Sequence, residues 1–296
     1  MIASRVEVPE EDAVRRWLFL ALAAMLALAP RAGAGERVVL ERQGGDPSSV
    51  ELFLDRPEGA GPFPLILFVH GHQSAPRPGA RAFTRLEGRR PALATIDEGR
   101  LERMRQRGYV AAAVSLGGYG ATPGPADFWG PRAQASLEAA LEHLAGLPFV
   151  DRSRIAVYGV SGGAATASMV AGTRPVGAAI RALVLVAGMY DLAEFYPTGE
   201  PGMDRQVEEG AGTTPEAAAA RAGLRHAGNI RAEATLILHG GGDRASTVGQ
   251  ARRMAEAIRA AGRDARIRIF EGTLHQIPLP QQWEEIDPFL REVVGR

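Results

Sequence analysis

Short apolar runs, separated by helical patterns, extend over most of the chain. The run Pro64–Val69 (PLILFV) is continuously apolar, which is typical of a strand buried on both faces of a sheet. Similar runs recur at Val110–Val114, Ile155–Tyr158, Ala182–Val186, Ala234–Leu238 and Arg266–Phe270. Helical patterns lie between them at Asp97–Arg107, Ala133–Leu144, Ser161–Ala171 and Val248–Ala261. This alternation predicts βαβ units and a mostly parallel sheet.

Two further β-rich segments precede the first apolar run. They are Arg37–Arg42 and Ser49–Asp55, and the sequence Gly44-Gly45-Asp46-Pro47 between them has the composition of a hairpin turn. We expect them to be antiparallel edge strands. The predicted fold class is therefore α/β, with an eight-stranded, mostly parallel sheet and helices on both faces.

Two segments depart from the alternation. Residues Ser74–Thr95 are rich in Pro, Gly and Arg and predict a loop insertion after the third strand. Residues Tyr190–Gly212 follow the sixth strand and precede an Ala-rich helix, Pro215–Leu224. The region 190–230 is either a small lid or an ordinary surface excursion. If it is a lid, its aromatic side chains are candidates for substrate binding: Tyr190, Phe195 and Tyr196.

The amino terminus has the pattern of an export signal. Arg15 and Arg16 precede the apolar run Trp17–Ala29, and Ala32-Gly33-Ala34 resembles a cleavage site. The run is shorter than the roughly 20 residues that a spanning helix needs, although an uncleaved membrane anchor is the alternative. We expect residues 1–34 to be a signal peptide, and residues 35–296 to be a periplasmic or extracellular domain without stable membrane association.

Charge and cysteine content exclude several classes of function. The chain has 34 basic and 34 acidic residues, so it has no net field that would attract nucleic acid. It has no cysteine, which rules out disulfides, thiolate nucleophiles and cysteine-ligated metals.

A strand, the motif G-x-S-x-G and a helix of small residues follow one another at Ile155–Ala164. A serine at a tight turn from strand to helix adopts strained backbone angles, and glycines on both sides allow the turn to close. Its hydroxyl then projects above the sheet beside the amino end of the helix, where backbone N–H groups can receive an oxyanion. Ser161 is thus the candidate nucleophile.

A serine hydroxyl needs a base to remove its proton and a carboxylate to orient that base. In chain order the acid and then the histidine should follow the serine. Asp243 comes just after the strand Ala234–Leu238, and His275 comes just after Arg266–Phe270. Asp191, after the sixth strand, is the rival candidate for the acid.

The remaining histidines are weaker candidates for catalysis. His143 and His226 lie in or near helices, and His239, at the end of a buried strand, is expected to form structural hydrogen bonds. His70 and His72 flank Gly71 after the third strand, where a second oxyanion donor is expected. With no paired carboxylates nearby and no H-E-x-x-H motif, we predict no metal site and no cofactor.

The sequence resembles α/β-hydrolases similar to dienelactone hydrolase and to the catalytic domain of the prolyl oligopeptidase family. The resemblance runs from about Pro62 to Pro278 and is carried by the segments LFVHG, RGYV, FVDRSRI, LILHG and the turn Gly272–His275. It implies an α/β-hydrolase fold with Ser161, Asp243 and His275 as the triad. It also implies that the oxyanion donors are the N–H of Gly162 and that of His72 or Gln73.

The residue after the nucleophile departs from the peptidase-like members. Gly162 stands where a tyrosine or arginine is frequent in them, which favours an esterase. The predicted function is therefore that of a serine hydrolase that cleaves a carboxylic ester through an acyl-enzyme on Ser161. An exopeptidase or amidase acting on short peptides is the alternative, and a non-catalytic binding module is a third.

Overall fold

The computed structural model describes residues 35–72 and 91–295. The predicted signal peptide (residues 1–34), the candidate oxyanion residue Gln73 and most of the predicted insertion after the third strand lie outside the described residues.

One eight-stranded sheet forms the centre of the described chain, as predicted. Its strands are β1 (Glu36–Glu41), β2 (Ser49–Asp55), β3 (Phe63–Val69), β4 (Val110–Val114), β5 (Val150–Val160), β6 (Ile180–Val186), β7 (Ala234–Gly240) and β8 (Asp264–Phe270). Their spatial order is β1-β2-β4-β3-β5-β6-β7-β8. β1 pairs antiparallel with β2, β2 pairs antiparallel with β4, and the other neighbours are parallel. Only β1 of the opening hairpin is an edge strand, because β2 has a neighbour on each side.

Helices cover both faces of the sheet. They are α1 (Pro91–Asp97), α2 (Arg100–Gln106), α3 (Pro131–Ala145), α4 (Gly162–Thr173), α5 (Leu192–Phe195), α6 (Pro201–Gly210), α7 (Pro215–Ala219), α8 (Val248–Ala260) and α9 (Leu279–Val293). The helix predicted over Asp97–Arg107 begins only at Arg100, because Gly99, with φ +67°, separates it from α1, which ends at Asp97. None of the described helices is both long and apolar enough to cross a membrane.

Alternate side chains of each central strand enter opposite cores. Leu65 and Leu67 of β3 pack in the core with α3, α4 and α8, while Ile66 and Phe68 pack in the core with α2 and α9. Because both faces are covered, the central strands β3 and β4 are apolar at every position, which is the pattern that made them recognisable. The fold class predicted from the sequence is confirmed.

The region after β6 forms three short helices over the carboxyl edge of the sheet. It shares a third, smaller apolar cluster with the segment before α3, made of Phe128, Trp129, Ala165, Met189, Leu192, Phe195 and Val207. The helix predicted over Pro215–Leu224 ends at Ala219, and a 3₁₀ helix, Gly223–Asn229, follows it.

Candidate active site

Ser161 lies in a sharp turn between β5 and α4. Its backbone has φ 54° and ψ −121°, a region that a residue with a side chain occupies only when its surroundings enforce it. The glycines of the motif are needed here. A Cβ on Gly159 would come within 2.5 Å of the Gly163 carbonyl oxygen, and a Cβ on Gly163 would come within 2.2 Å of the Val69 carbonyl oxygen. Tight packing between β3 and the turn therefore holds the serine in place.

The structure brings Ser161, His275 and Asp243 together. His275 Nε2 lies 2.9 Å from Ser161 Oγ, and His275 Nδ1 lies 2.8 Å from Asp243 Oδ2. Because a carboxylate can only accept, Nδ1 carries the proton and Nε2 is free to accept the serine proton. The loops after β7 and β8 supply the acid and the histidine, at the sheet edge where Ser161 is displayed.

Asp191 has a different role. Its carboxylate accepts a hydrogen bond from the Ala193 N–H at 3.0 Å and so caps the amino end of α5. Of the two acid candidates, Asp243 is the one in contact with His275.

Four donors hold the Asp243 carboxylate. Oδ1 accepts from the N–H groups of Ala245 (2.8 Å) and Ser246 (3.0 Å). Oδ2 accepts from His275 and lies 3.3 Å from His239 Nε2. Burial by itself raises the pKa of Asp243, but the hydrogen bonds from His239, His275 and Ser246 hold that pKa well below its ordinary value. The Asp243 carboxylate is therefore ionised at any pH at which His275 can act as a base.

His239 has the structural role expected of it, and one further contact. Its side chain is fully buried, and Nε2 donates to the Ser246 carbonyl oxygen at 2.8 Å. The same N–H lies 3.3 Å from Asp243 Oδ2. The sequence did not indicate this contact, because Asp243 approaches His239 only when the loop after β7 folds back on the strand.

The backbones of Gly162 and His72 lie close together beside Ser161. Gly162 is the first residue of α4, so its N–H has no partner within the helix. A Cβ on Gly162 would lie 3.3 Å from the His72 nitrogen, and a Cβ on Gly71 would lie 3.0 Å from Ser161 Cβ. The backbone of His72 thus lies next to Gly162, and the role of the two N–H groups as oxyanion donors stays a prediction.

His70 and His72 are held in neutral forms with different partners. His70 Nδ1 donates to the Gly71 carbonyl oxygen (2.8 Å) and Nε2 accepts from the Leu116 N–H (3.1 Å). Burial lowers the pKa of His70 to about 4. The described residues contain no group of three or more His, Asp or Glu side chains arranged to hold a metal ion.

The rings of Phe128 and Trp129 form an aromatic wall beside Gly162 and His72. Phe128 and Trp129 both have φ 53°, and the buried Arg221 fixes this strained pair by donating to the carbonyl oxygens of Asp127 and Phe128. Together with His72, Tyr119 and Gly162, the two aromatic residues line a narrow recess. The segment Phe128–Pro131 resembles one found in bacterial esterase-like hydrolases, but no role in the site was predicted from the sequence for Phe128 or Trp129.

The three aromatic residues predicted to bind substrate have different positions. Tyr190 is fully buried in the main core, so the prediction that it binds substrate is corrected. Phe195 is 8% exposed and packs against Trp129, with ring centroids 6.1 Å apart, as part of the support of the wall. The Tyr196 hydroxyl donates to Glu208 of α6 at 2.8 Å, which ties two helices of the insertion together.

Comparison with known proteins agrees with this geometry. The profile of the prolyl oligopeptidase family matches residues 97–291. No protein with a curated description matches the chain.

Three solved structures show the same fold at low sequence identity. Acylaminoacyl peptidase of Pyrococcus horikoshii is 18% identical, with a TM-score of 0.68 over 90% of this chain and 43% of the other. A puromycin-hydrolyzing peptidase of Mycobacterium tuberculosis is 21% identical, with a TM-score of 0.69 over 88% and 40%. Dipeptidyl peptidase 4 of Porphyromonas gingivalis is 20% identical, with a TM-score of 0.65 over 93% and 37%. The chain thus spans less than half the length of each of these proteins.

Proposed function

The chain belongs to the prolyl oligopeptidase family of serine hydrolases, and from that premise we propose that it cleaves an amide bond in a short peptide or aminoacyl conjugate. The hydrogen-bonded series Ser161–His275–Asp243 is the observation that carries the proposal. The family and the peptidases with the same fold favour this alternative over the ester cleavage expected from Gly162.

The reaction proceeds in two acyl-transfer steps. Ser161 Oγ attacks the carbonyl carbon while His275 Nε2 takes the hydroxyl proton, and Asp243 stabilises the resulting imidazolium. The backbone N–H groups of Gly162 and His72 receive the negative charge on the carbonyl oxygen. His275 then gives its proton to the leaving nitrogen, and the amine departs. A water molecule, deprotonated by His275, attacks the acyl-enzyme and releases the acid.

The acyl group of the substrate is proposed to be small and apolar or aromatic. The recess beside Gly162 and His72 is narrow, which limits the size of the acyl group, and Tyr119, Phe128 and Trp129 supply apolar ring faces to it. A longer acyl chain would have to displace Trp129, which Arg221 and Phe195 hold from behind.

Paired substrates test the proposal. An aminoacyl p-nitroanilide and a p-nitrophenyl ester with the same phenylalanyl acyl group differ only in the bond that is cleaved. We expect the protein to hydrolyse both and Ser161→Ala to lose both activities by several powers of ten. Hydrolysis of the ester without any of the anilide would restore the esterase interpretation. No Ser161-dependent hydrolysis and no labelling by a fluorophosphonate would favour a non-catalytic binding module.

A further inference from the structure

His72 connects the oxyanion space to the insertion after β6. A Cβ on Gly162 would lie 3.3 Å from the His72 backbone nitrogen, and the His72 ring is hydrogen-bonded to Gln206 of α6. His72 Nε2 lies 2.8 Å from Gln206 Oε1, and His72 Nδ1 lies 2.9 Å from the Tyr119 hydroxyl. One residue thus carries a proposed catalytic donor on its backbone and two hydrogen bonds on its side chain.

The direction of these hydrogen bonds follows from Gln206. Its amide Nε2 donates to the Gly202 carbonyl oxygen at 3.0 Å, which leaves Oε1 as the acceptor that faces His72. The proton of the ring is then on Nε2, and Nδ1 accepts from Tyr119. Burial lowers the pKa of His72, which favours this neutral form. The ring is also packed on Phe128, with centroids 4.4 Å apart.

Helix α6 is also held over the site by apolar packing. Val207, next to Gln206, is buried in the cluster with Phe128 and Trp129. Gln206 therefore sits where the apolar docking of α6 brings its amide directly against the His72 ring. The position of the helix and the orientation of the ring are coupled by this contact.

We propose that Gln206 is a positioning residue for the oxyanion donor, acting through the His72 ring when α6 is docked. The His72 ring is held at both nitrogens, so its position is fixed. A fixed ring restrains the Cα of His72 and therefore the rotation of the peptide that carries its N–H. An oxyanion donor must lie at about 2.7–3.1 Å from the developing charge, so even a small rotation of this peptide weakens it. The inference rests on the proposed function, and it adds that the insertion completes the oxyanion hole.

The test is a set of four single variants and one double variant on one aminoacyl p-nitroanilide. Gln206→Met removes the acceptor at similar volume, and we expect kcat to fall about tenfold with KM within about twofold, because the donor is loosened but not removed. Affinity for a peptide boronic acid, which forms a tetrahedral adduct on Ser161, should fall by the same factor as kcat/KM. His72→Leu should reproduce the loss, and the double variant should add little to it.

Arg205→Met is the matched control, because Arg205 is exposed on the same helix and its side chain makes no hydrogen bond to another described residue. It should behave like the wild-type protein. Tyr119→Phe removes the second hydrogen bond of the ring without touching α6, and a smaller fall in kcat is expected from it.

Three results would overturn the inference alone. The first is a rise in KM without a fall in kcat in Gln206→Met, which would make α6 a pocket wall only. The second is an additive loss in the double variant. The third is a Gln206→Met variant that behaves like the labelled wild-type protein. Labelling of the wild-type protein by a fluorophosphonate is measured first. If the wild-type protein is not labelled, both the proposed function and the inference are wrong. If it is labelled but Gln206→Met is unaffected, only the inference is wrong.

Discussion

The indole ring of Trp129 lies over Gly162, so that a Cβ on Gly162 would come within 2.8 Å of the ring carbon Cε3. Trp129 therefore fills the space that a side chain after the nucleophile would occupy. The glycine, which by sequence alone favoured an esterase, is explained by a neighbour from another segment. It carries no information about the bond that is cleaved.

This contact predicts that the two positions depend on each other. Gly162→Ala should lower kcat and stability, because the rigid ring cannot give way, whereas the same change in a Trp129→Leu background should be tolerated. We expect a coupling of about 1–3 kcal/mol, typical of residues in direct contact. Thermal unfolding and kcat/KM of the two single variants and the double variant measure it, and additive effects would show that the ring does not press on Gly162.

Trp129→Leu should also widen the range of substrates. Removing the indole enlarges the recess, so kcat/KM for bulky acyl groups should rise relative to that for small ones. A series of anilides with acyl groups from alanyl to naphthylalanyl measures the shift, and an unchanged order of preference would place the acyl group elsewhere.

The third prediction separates the two acids. Asp243→Asn leaves Ser161 and the oxyanion donors in place but takes the negative partner from His275, so turnover near neutral pH should fall by up to about ten-thousandfold. Asp191→Asn should be mild, because this carboxylate only caps α5. Both variants are assayed on one anilide with circular dichroism as the check on folding. If Asp191→Asn were the more damaging change, Asp243 would not be the acid.

The fourth prediction concerns His239, the buried histidine beside Asp243. His239→Leu removes the donor to the Ser246 carbonyl oxygen and to Asp243, so about 1–3 kcal/mol of stability should be lost. Turnover should fall much less than in Asp243→Asn, because His275 and the Ser246 N–H still hold the carboxylate. Urea unfolding and kcat are measured beside His143→Leu on α3, which should change neither. A loss of turnover as large as that of Asp243→Asn would mean that His239 is needed for Asp243 to stabilise the protonated His275.

The strands and the triad were readable from the sequence for a physical reason. Strands covered on both faces are apolar at every position, and the carboxyl ends of parallel strands place consecutive loops at one edge of the sheet. The chain order Ser161, Asp243, His275 then brings the three residues together without any long-range information. The last helix, α9, was missed because Pro280 and Pro288 suggest irregular structure, although one lies in its first turn.

The walls of the site were not readable in this way. Tyr190 points into the core because the chain after β6 turns at Ala187, with φ 48°, and simple alternation of side chains ends there. The Phe128–Trp129 wall depends on Arg221, which is more than 90 positions away in the chain. Contacts of this kind follow from the folded insertion and have no local pattern.

The final prediction concerns pH and the loop that carries Tyr119. Glu51 of β2 is buried, and its carboxylate accepts from Arg37, Ser115 and the Ala121 N–H at 2.6–3.0 Å. Burial by itself raises the pKa of Glu51, but these hydrogen bonds bring that pKa below its ordinary value.

A carboxyl group with a lowered pKa in the folded state stabilises the fold above its ordinary pKa, and this contribution disappears as the pH falls through the lowered value. Glu51→Gln should therefore cost about 1–3 kcal/mol at pH 7, because the amide offers a donor to groups that also donate. The difference from the wild-type protein should shrink steadily below about pH 4.5. Urea unfolding of both proteins from pH 7 to pH 3 measures it, with Glu36→Gln on the exposed edge strand as the control. A difference that stayed constant over this range would mean that the ionised carboxylate is not what holds the loop.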